Sequence, residues 1–571
     1  MRAADVDFFS DGRAAVVTFE GDVWVVSGID RGLQKLQWRR FASGLYEPLN
    51  VAVVRDTIYV HDRQGIVRLQ DLNGDGEADS YENFSNLSAQ SGESREFPLG
   101  MAAKPGGGFY LAIGGALDLG PKTSPAIMPG FRAGSSQAGT VQEVSADGRR
   151  IRAFATGLRE PIIGMDPRTG TIAASDQQGN FVPSTPIFLL KEGGYYGVPA
   201  TAHRPDPPPP EPALLWIPHE VDQSGAGEVW VPNDEMGFGG PALVHLSYGR
   251  PGPFRVYIDS THSGVQGALV ALPGTYRAPT LKGRVGPDGQ LYIAGFSVWG
   301  SKATDVTSLV RLRYTGAPSR LPLAVRAGLQ GVLVRFATPL DAGATDAARY
   351  MLKRWNYVRS SEYGSGHYKM DGTAGEETLP LAPRLSADAR TLLLVVPNMQ
   401  KVMQMQLAYD LKSRAGTPLR DTLWLTVNAV DSLDLRRAGF NALDWRAIAN
   451  RAAQARPVVK QADGATTVST ALGARLYQDK GCVGCHSVDG TTAGKVGPTF
   501  RGLYGSAVRL RSGKTVRADD AYLRRSILDP AADMVRGFEP GMPSFRGVLS
   551  DAEVASLVRY IRSLGTGEGG K

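Results

Sequence analysis

The sequence predicts three structured parts in a row: a six-bladed β-propeller, a β-sandwich of immunoglobulin type and a small all-α domain. Three observations predict them. A unit of turn residues followed by a hydrophobic-aromatic strand recurs six times between residues 21 and 293. A further run of alternating strands, without that recurrence, extends to about residue 430. From residue 471 onward, apolar residues are spaced by three and four, the period of a helix with one buried face. The expected boundaries are 1–316 for the propeller, 317–430 for the sandwich, 431–470 for a helix and linker, and 471–571 for the helical domain.

The repeated unit reads Gly21-Asp22-Val23-Trp24-Val25-Val26, Arg55-Asp56-Thr57-Ile58-Tyr59-Val60 and Gly106-Gly107-Gly108-Phe109-Tyr110-Leu111 in the first half. It returns as Arg168-Thr169-Gly170-Thr171-Ile172-Ala173, Gly227-Glu228-Val229-Trp230-Val231 and Asp288-Gly289-Gln290-Leu291-Tyr292-Ile293. Spacings of roughly 35 to 65 residues suit one unit per blade with variable loops. Within the second blade, Asp71-Leu72-Asn73-Gly74-Asp75-Gly76-Glu77-Ala78-Asp79 places oxygen side chains at alternate positions. Asp71, Asn73, Asp75, Glu77 and Asp79 could converge on a calcium ion while Gly76 allows the sharp turn. The other reading is a polar, Asx-rich hairpin.

Gly157-Leu158-Arg159-Glu160-Pro161, Ser175-Asp176-Gln177-Gln178-Gly179-Asn180 and Lys191-Glu192-Gly193-Gly194-Tyr195-Tyr196-Gly197-Val198-Pro199 form a series. It resembles the soluble quinoprotein glucose and sorbosone dehydrogenases, which bind pyrroloquinoline quinone and calcium near a propeller axis. The resemblance implies that Arg159 faces the cofactor carboxylates and that Asp176, Gln177 and Gly179 lie by a second calcium. Two departures are visible: Glu160 replaces an asparagine, and Ser94-Arg95-Glu96-Phe97 stands where the family places a catalytic histidine. With that histidine missing, Glu160 or His262 is the candidate base, beside Arg159 as the anion-gripping cation. His203, His219 and His245 each read as ordinary polar residues, and the proline-rich run from Arg204 to Pro212 as a stiff loop. Over nearly its whole length the chain also resembles bacterial haem-binding propeller proteins, through Phe41-Ala42-Ser43-Gly44-Leu45-Tyr46-Glu47-Pro48-Leu49, the Asp71 loop and the segment after Tyr350.

Strands at Gly331–Phe336, Thr391–Val396 and Met403–Leu407 carry the sandwich, and alternation puts Met403 and Met405 on one face as core residues. The aromatic stretch from Trp355 to Tyr368 is expected to pack on a neighbouring domain, on a haem edge or within the sandwich itself. Leu443 to Ala453 reads as a short helix, and Arg456 to Ser469 as a connector without periodicity.

In the tail, Cys482-Val483-Gly484-Cys485-His486 holds the only two cysteines of the 571 residues. C-x-x-C-H is a c-type haem attachment signature: each thiol can form a thioether, and His486 then lies beneath the iron. Zinc would need further cysteines or histidines nearby, and a redox dithiol would need a βαβ setting; neither pattern is present. Met542, in Gly541-Met542-Pro543-Ser544-Phe545, is the expected sixth ligand, with Met534 as competitor. The stretch from Ala471 to Leu564 resembles a class I cytochrome c domain through these residues, Val496-Gly497-Pro498, Tyr522–Ile527 and Leu549-Ser550-Asp551-Ala552-Glu553.

Lys and Arg number 63 against 56 Asp and Glu, a formal charge of +7. Fifteen of those bases and ten of those acids lie between Ala471 and Lys571, which suits an acidic redox partner protein and not nucleic acid. No apolar run is long enough to span a membrane. The first residues carry no apolar leader; because covalent haem attachment occurs outside the bacterial cytoplasm, a periplasmic or otherwise exported, already processed chain is expected. Two functions follow as expectations. One is an electron-transferring cytochrome whose propeller oxidises a sugar or alcohol; the other is an electron-transfer or binding protein whose propeller is a non-catalytic scaffold.

Overall fold

The structure is a computed structural model. It describes residues 1–88, 96–115, 135–441, 443–454, 468–491, 497–530, 532–538, 542, 545, 549 and 551–565. Six sheets follow one another along the first half of the chain, antiparallel except where Gly194–Tyr195 pairs in parallel with Ile151–Thr156 in the third. Their innermost strands are Ala3–Phe8, Asn50–Val54, Pro98–Ala103, Ile162–Met165, Gly225–Val231 and Lys282–Val285. Each innermost strand packs against the next, and Ala3–Phe8 packs against the sixth sheet, so the six sheets close a ring. The six recurring sequence units fall one in each sheet.

Among the described residues the ring closes through side chains and loops, not through a shared strand. Phe8 meets Tyr292 edge-on at 4.8 Å, Phe19 stacks on Phe296 at 5.0 Å, and the Ala3 amide donates to Thr307 Oγ1 at 3.0 Å. Arg311 donates to the carbonyls of Asp30 and Arg31. Ala4, Val51, Leu99, Ile162, Val229 and Ile293, one from each sheet, belong to a single buried cluster. Burying such side chains is worth about 1.5–3 kcal/mol each for the larger ones, the main force holding the sheets face to face.

Strand direction divides the ring into two ends. Chain segments that enter an innermost strand, and turns between the second and third strands, lie at one end, called the mouth here. Turns between the third and fourth strands lie at the other.

Residues after the ring form two more sheets facing each other. One has the order Ala324–Gly328, Gly331–Arg335, Thr391–Val395, Ala382–Leu385; the other runs Pro418–Val427, Val402–Lys412, Tyr350–Trp355, Glu377–Thr378. Val334, Leu394, Leu352, Leu407 and Leu425 fill the core between them. The second of these sheets is continuous with the fifth sheet of the ring, because Gly267, Ala268 and Leu269 pair with Thr426, Leu425 and Trp424. The chain boundary near residue 316 is therefore not a packing boundary. The expectation that Met403 and Met405 share a face is corrected by the strand itself. A register shift between Val402 and Met405 slips the alternation, so Met405 is buried in this core while Met403 packs beside Tyr357 in another cluster.

The helix Trp445–Gln454 lays Ile448 and Ala449 on Leu393 and Val395. The tail folds as helices Thr470–Asp479, Cys482–Cys485, Asp520–Leu528 and Asp551–Ser563. Ser469 and Asp519 cap two of them by accepting from the amides of Leu472 and Tyr522, at 3.1 and 2.8 Å. Thr470–Asp479 crosses Asp551–Ser563 at Gly473, where an added Cβ would overlap the Ser556 carbonyl oxygen.

Candidate functional site

The haem-binding signature occupies a short helical turn. Gly481, at φ +76°, reverses the chain after the helix Thr470–Asp479 and starts Cys482–Cys485. Neither cysteine is in a disulfide. Burial pushes the Cys482 thiol up to about 11, which keeps it protonated in the unmodified chain. His486 follows at once and is buried. Its Nδ1 lies 2.7 Å from the Pro498 carbonyl oxygen, its ring stacks on Phe500 at 4.4 Å, and the Tyr477 hydroxyl donates to its carbonyl at 2.6 Å. Because a carbonyl can only accept, Nδ1 carries the proton, and Nε2 is left as the nitrogen that takes a metal. Gly497 backs against the ring, where a Cβ would come within 2.5 Å of Cε1.

This donor set fits haem c. Two thiols at one-turn spacing precede an imidazole whose tautomer and plane are already fixed. Met542 is half-buried and packs on the helical core that also receives Cys482 and Val483. Its neighbours Gly541, Pro543 and Ser544, together with Val496 and Ser550, lie outside the described residues. The carbonyl of the competitor Met534 accepts from the Arg511 amide at 2.8 Å, a bond that fixes its backbone and not its thioether. Among the described residues no group of three or more His, Cys, Asp or Glu stands where it could hold a metal, so nothing there completes a zinc site around Cys482 and Cys485.

The quinoprotein-like residues come together at the mouth of the ring. Arg159 and Glu160 precede the innermost strand Ile162–Met165, and Asp176 and Gln177 begin the turn after Ile172–Ser175. The Asp176 carboxylate accepts from the amides of Arg159, Glu160 and Gln177 at 2.9, 2.7 and 2.8 Å. Burial nevertheless lifts its pKa above the ordinary range. Arg159 Nη1 donates to Gln177 Oε1 at 3.0 Å, and its guanidinium lies over the Tyr363 ring at 5.6 Å. Only 3% of Arg159 is exposed, its buried Nε has no acceptor among the described residues, and Gly179 lies so close that a Cβ there would overlap that nitrogen. A tricarboxylate quinone needs open guanidinium edges, and a second calcium needs several ligating groups together, whereas among the described residues no group of three or more His, Cys, Asp or Glu stands where it could hold a metal. Neither group fits these residues.

Other sequence candidates lie elsewhere. His262 is exposed in the turn between Gly252–Ser260 and Val265–Ala271, at the end opposite the mouth, and cannot share a site with Arg159. The Asp71 loop is also at that far end. There Asp71 accepts from the amides of Gly74 and Gly76, and Asp79 from those of Leu72 and Asn73. Asn73 Nδ2 joins Asp75 to Asp79 at 3.1 and 3.0 Å, while Gly76 abuts the Arg39 guanidinium, so the loop laces itself closed against the first sheet. Ser94 and Arg95 lie outside the described residues; Glu96 is buried and accepts from the Ser135 amide at 2.7 Å.

Two buried polar groups were barely signalled by the residue pattern. Lys282 crosses the middle of the ring to donate to Asn50 Oδ1 at 3.0 Å and to the Leu99 carbonyl, and burial brings its ammonium down to about 8. Beside it His61 is buried and held neutral, with its pKa near 3. In the fifth sheet, His245 lies between Glu228 Oε1 at 2.7 Å and Asp222 Oδ2 at 2.8 Å, and Ser247 Oγ donates to Asp222 Oδ1 at 2.5 Å. Burial opposes the imidazolium, but the two carboxylates outweigh it and raise His245 to about 10. The one signal in the sequence was the occurrence of Glu228 and His245 within apolar strands and of Lys282 at the start of a strand beside Leu281. His219, near the mouth, is drawn down to about 4 by burial, with repulsion from Arg250 and from Lys480, two residues before the haem cysteines.

Residues 470–565 match the family model for cytochrome c, and the C-terminal domain is a cytochrome c domain. No curated protein matches the sequence. Among solved structures, the chain is similar to a Thermus thermophilus protein described as a putative oxidoreductase (glucose dehydrogenase), at 16% identity over 54% of this chain and 96% of that one, with a TM-score of 0.40. It is also similar to the PQQ-bound form of an aldose sugar dehydrogenase from Streptomyces coelicolor, at 13% identity over 55% of this chain and 96% of that one, with a TM-score of 0.37.

Proposed function

We propose that this chain is an exported, periplasmic c-type cytochrome that passes electrons to a redox partner through one haem bound at Cys482, Cys485, His486 and Met542. Haem electron transfer follows from the cytochrome c domain. The observation that carries the finer reading is the hydrogen bond from His486 Nδ1 to the Pro498 carbonyl, which orients an axial imidazole directly after two thiols. When bound, haem with two axial ligands supplies outer-sphere, one-electron exchange. The protein's part is to fix the imidazole plane, exclude water with Phe500 and Tyr477, and present a basic surface that attracts an acidic partner. No helix among the described residues is long and apolar enough to cross a membrane.

The proposed domains are a six-bladed propeller at 1–316, a sandwich at 317–430, a helix and linker at 431–470 and the haem domain at 471–571. The strand orders of the two facing sheets, with the first, second, sixth and fifth strands in one and the eighth, seventh, third and fourth in the other, support an immunoglobulin-like reading of the sandwich. The Asp71 loop is proposed to take calcium as a structural ion on the strength of its alternating oxygen side chains, which would have to turn from their bonds within the loop toward the ion.

Of the two readings of the ring, the scaffold is favoured, because Arg159 is covered and His262 is at the opposite end. Oxidation of a sugar or alcohol is the second reading, supported by the meeting of Arg159, Glu160, Asp176 and Gln177 at the mouth. The test uses the full chain made in a host that attaches haem c. Covalent haem must be present in the wild type and lost in the Cys482→Ser/Cys485→Ser variant; haem that is still covalent there refutes the assignment. Haem reduction by any member of a sugar and alcohol panel, abolished by Glu160→Gln, moves the conclusion to the dehydrogenase.

A further inference from the structure

The two β parts are sewn together where Arg159 lies. Residues 358–364, between the strands Tyr350–Trp355 and Glu377–Thr378, leave the sandwich and lie along residues 179–181 of the ring's fourth sheet. The Phe181 amide donates to the Ser360 carbonyl at 2.7 Å, Asn180 Nδ2 to the Ser361 carbonyl at 2.7 Å, and the Gly364 amide to the Gly179 carbonyl at 3.1 Å. Arg359 reaches deeper. Its Nη1 donates to the carbonyls of Phe181 and Tyr196, its guanidinium lies over Trp216 at 5.8 Å, and Gly197 leaves it room that a Cβ would fill. Tyr363 then lies over Arg159. Phe181 holds φ +62°, a left-handed conformation costly for a side chain of that size, and its amide and carbonyl are both spent on the strap.

We propose that residues 358–364 are a built-in plug over Arg159, so that this end of the ring holds no quinone and Arg159 is a rivet between the two β parts. Tyr363 covers the guanidinium face, Gln177 takes one of its edges, and Gly179 closes the Nε side. An anion of any size could reach Arg159 only after the strap had left Gly179, Asn180 and Phe181. On the ring side, the amides of Arg159, Glu160 and Gln177 hold the Asp176 carboxylate in place beneath the same arginine. The plug does not depend on how the haem is used.

The experiment is equilibrium dialysis of the haem-loaded full chain against pyrroloquinoline quinone with calcium, alongside limited proteolysis of the strap. The wild type is expected to retain no more quinone than buffer. One quinone per chain, lost in Arg159→Ala, overturns the proposal; retention untouched by Arg159→Ala places the quinone elsewhere and leaves the plug standing. Cleavage within residues 355–368 should be slow in the wild type and about tenfold faster in Arg359→Ala/Tyr363→Ala, because proteolysis follows the population of the open form. A wild-type strap cut as fast as the variant would mean that it is not seated, and the proposal fails.

Discussion

Gly497→Ala tests whether the axial imidazole is held by packing as well as by the iron. The new methyl would sit 2.5 Å from Cε1 of His486, 2.8 Å from Nδ1 and 3.0 Å from Nε2. Real Cβ contacts of that length do not occur, so something must move. The ring cannot slide away easily, because Nδ1 is bonded to the Pro498 carbonyl at 2.7 Å and Phe500 stacks on it. Overpacking of a fixed side chain costs about 1–3 kcal/mol, and stretching the Nδ1 bond adds about 1 kcal/mol at most. Taking about 2 kcal/mol, a domain of this size should melt roughly 10 °C lower. The covalent haem should remain, since the cysteines are untouched, while a tilted imidazole shifts the reduced absorption spectrum and the midpoint potential. Thermal melting and a spectroelectrochemical titration of the same preparation check this. A variant with wild-type melting and potential would refute the claim that Gly497 and Pro498 jointly fix the ligand.

Met542→Ala should keep the haem attached, open its sixth position, change the spectrum and lower the potential; an unchanged spectrum moves the ligand to Met534 or elsewhere. Removing calcium with a chelator should lower the melting of the β parts and leave the haem spectrum intact, and melting that ignores the chelator, with no metal found by elemental analysis, returns the Asp71 loop to a self-closed hairpin. His245→Leu strands Asp222 and Glu228 as buried carboxylates and should cost about 3–5 kcal/mol, read by denaturant unfolding; a loss below about 1 kcal/mol would mean that the site takes up water and relaxes. His245 is raised in the folded chain, so its contribution is complete below the unfolded value near 6.5 and is lost as the pH climbs toward about 10. Melting of the β parts should therefore fall across that alkaline range in the wild type and much less in His245→Leu.

What the sequence made legible depended on how local the determining contacts were. Cys482, Cys485 and His486 are adjacent, so their chemistry could be read without knowing the fold. The six turn-and-strand units were legible for the same reason, although they do not occupy one position in their sheets: Val23–Ser27 is third from the axis, Thr57–Asp62 second and Gly225–Val231 first. Hydrophobic alternation marks that a strand is buried, not where it ranks in a sheet. The join between Val265–Ala271 and Pro418–Val427 is made by backbone amides and carbonyls, which every residue carries, so no pattern in the side chains announced it. Alternation also failed between Val402 and Met405, where a register shift reverses the face without changing the residue types. The series at Arg159 and Asp176 named residues that do meet at the mouth of the ring. It could not report that Arg359 and Tyr363, about 200 residues downstream, lie over it. A motif states which side chains a site could use; whether the site is open is decided by chain segments the motif does not contain. For Arg159, a buried guanidinium stacked on a tyrosine and backed by a glycine is an inter-module contact first, and any ligand must compete with that contact before it meets the arginine.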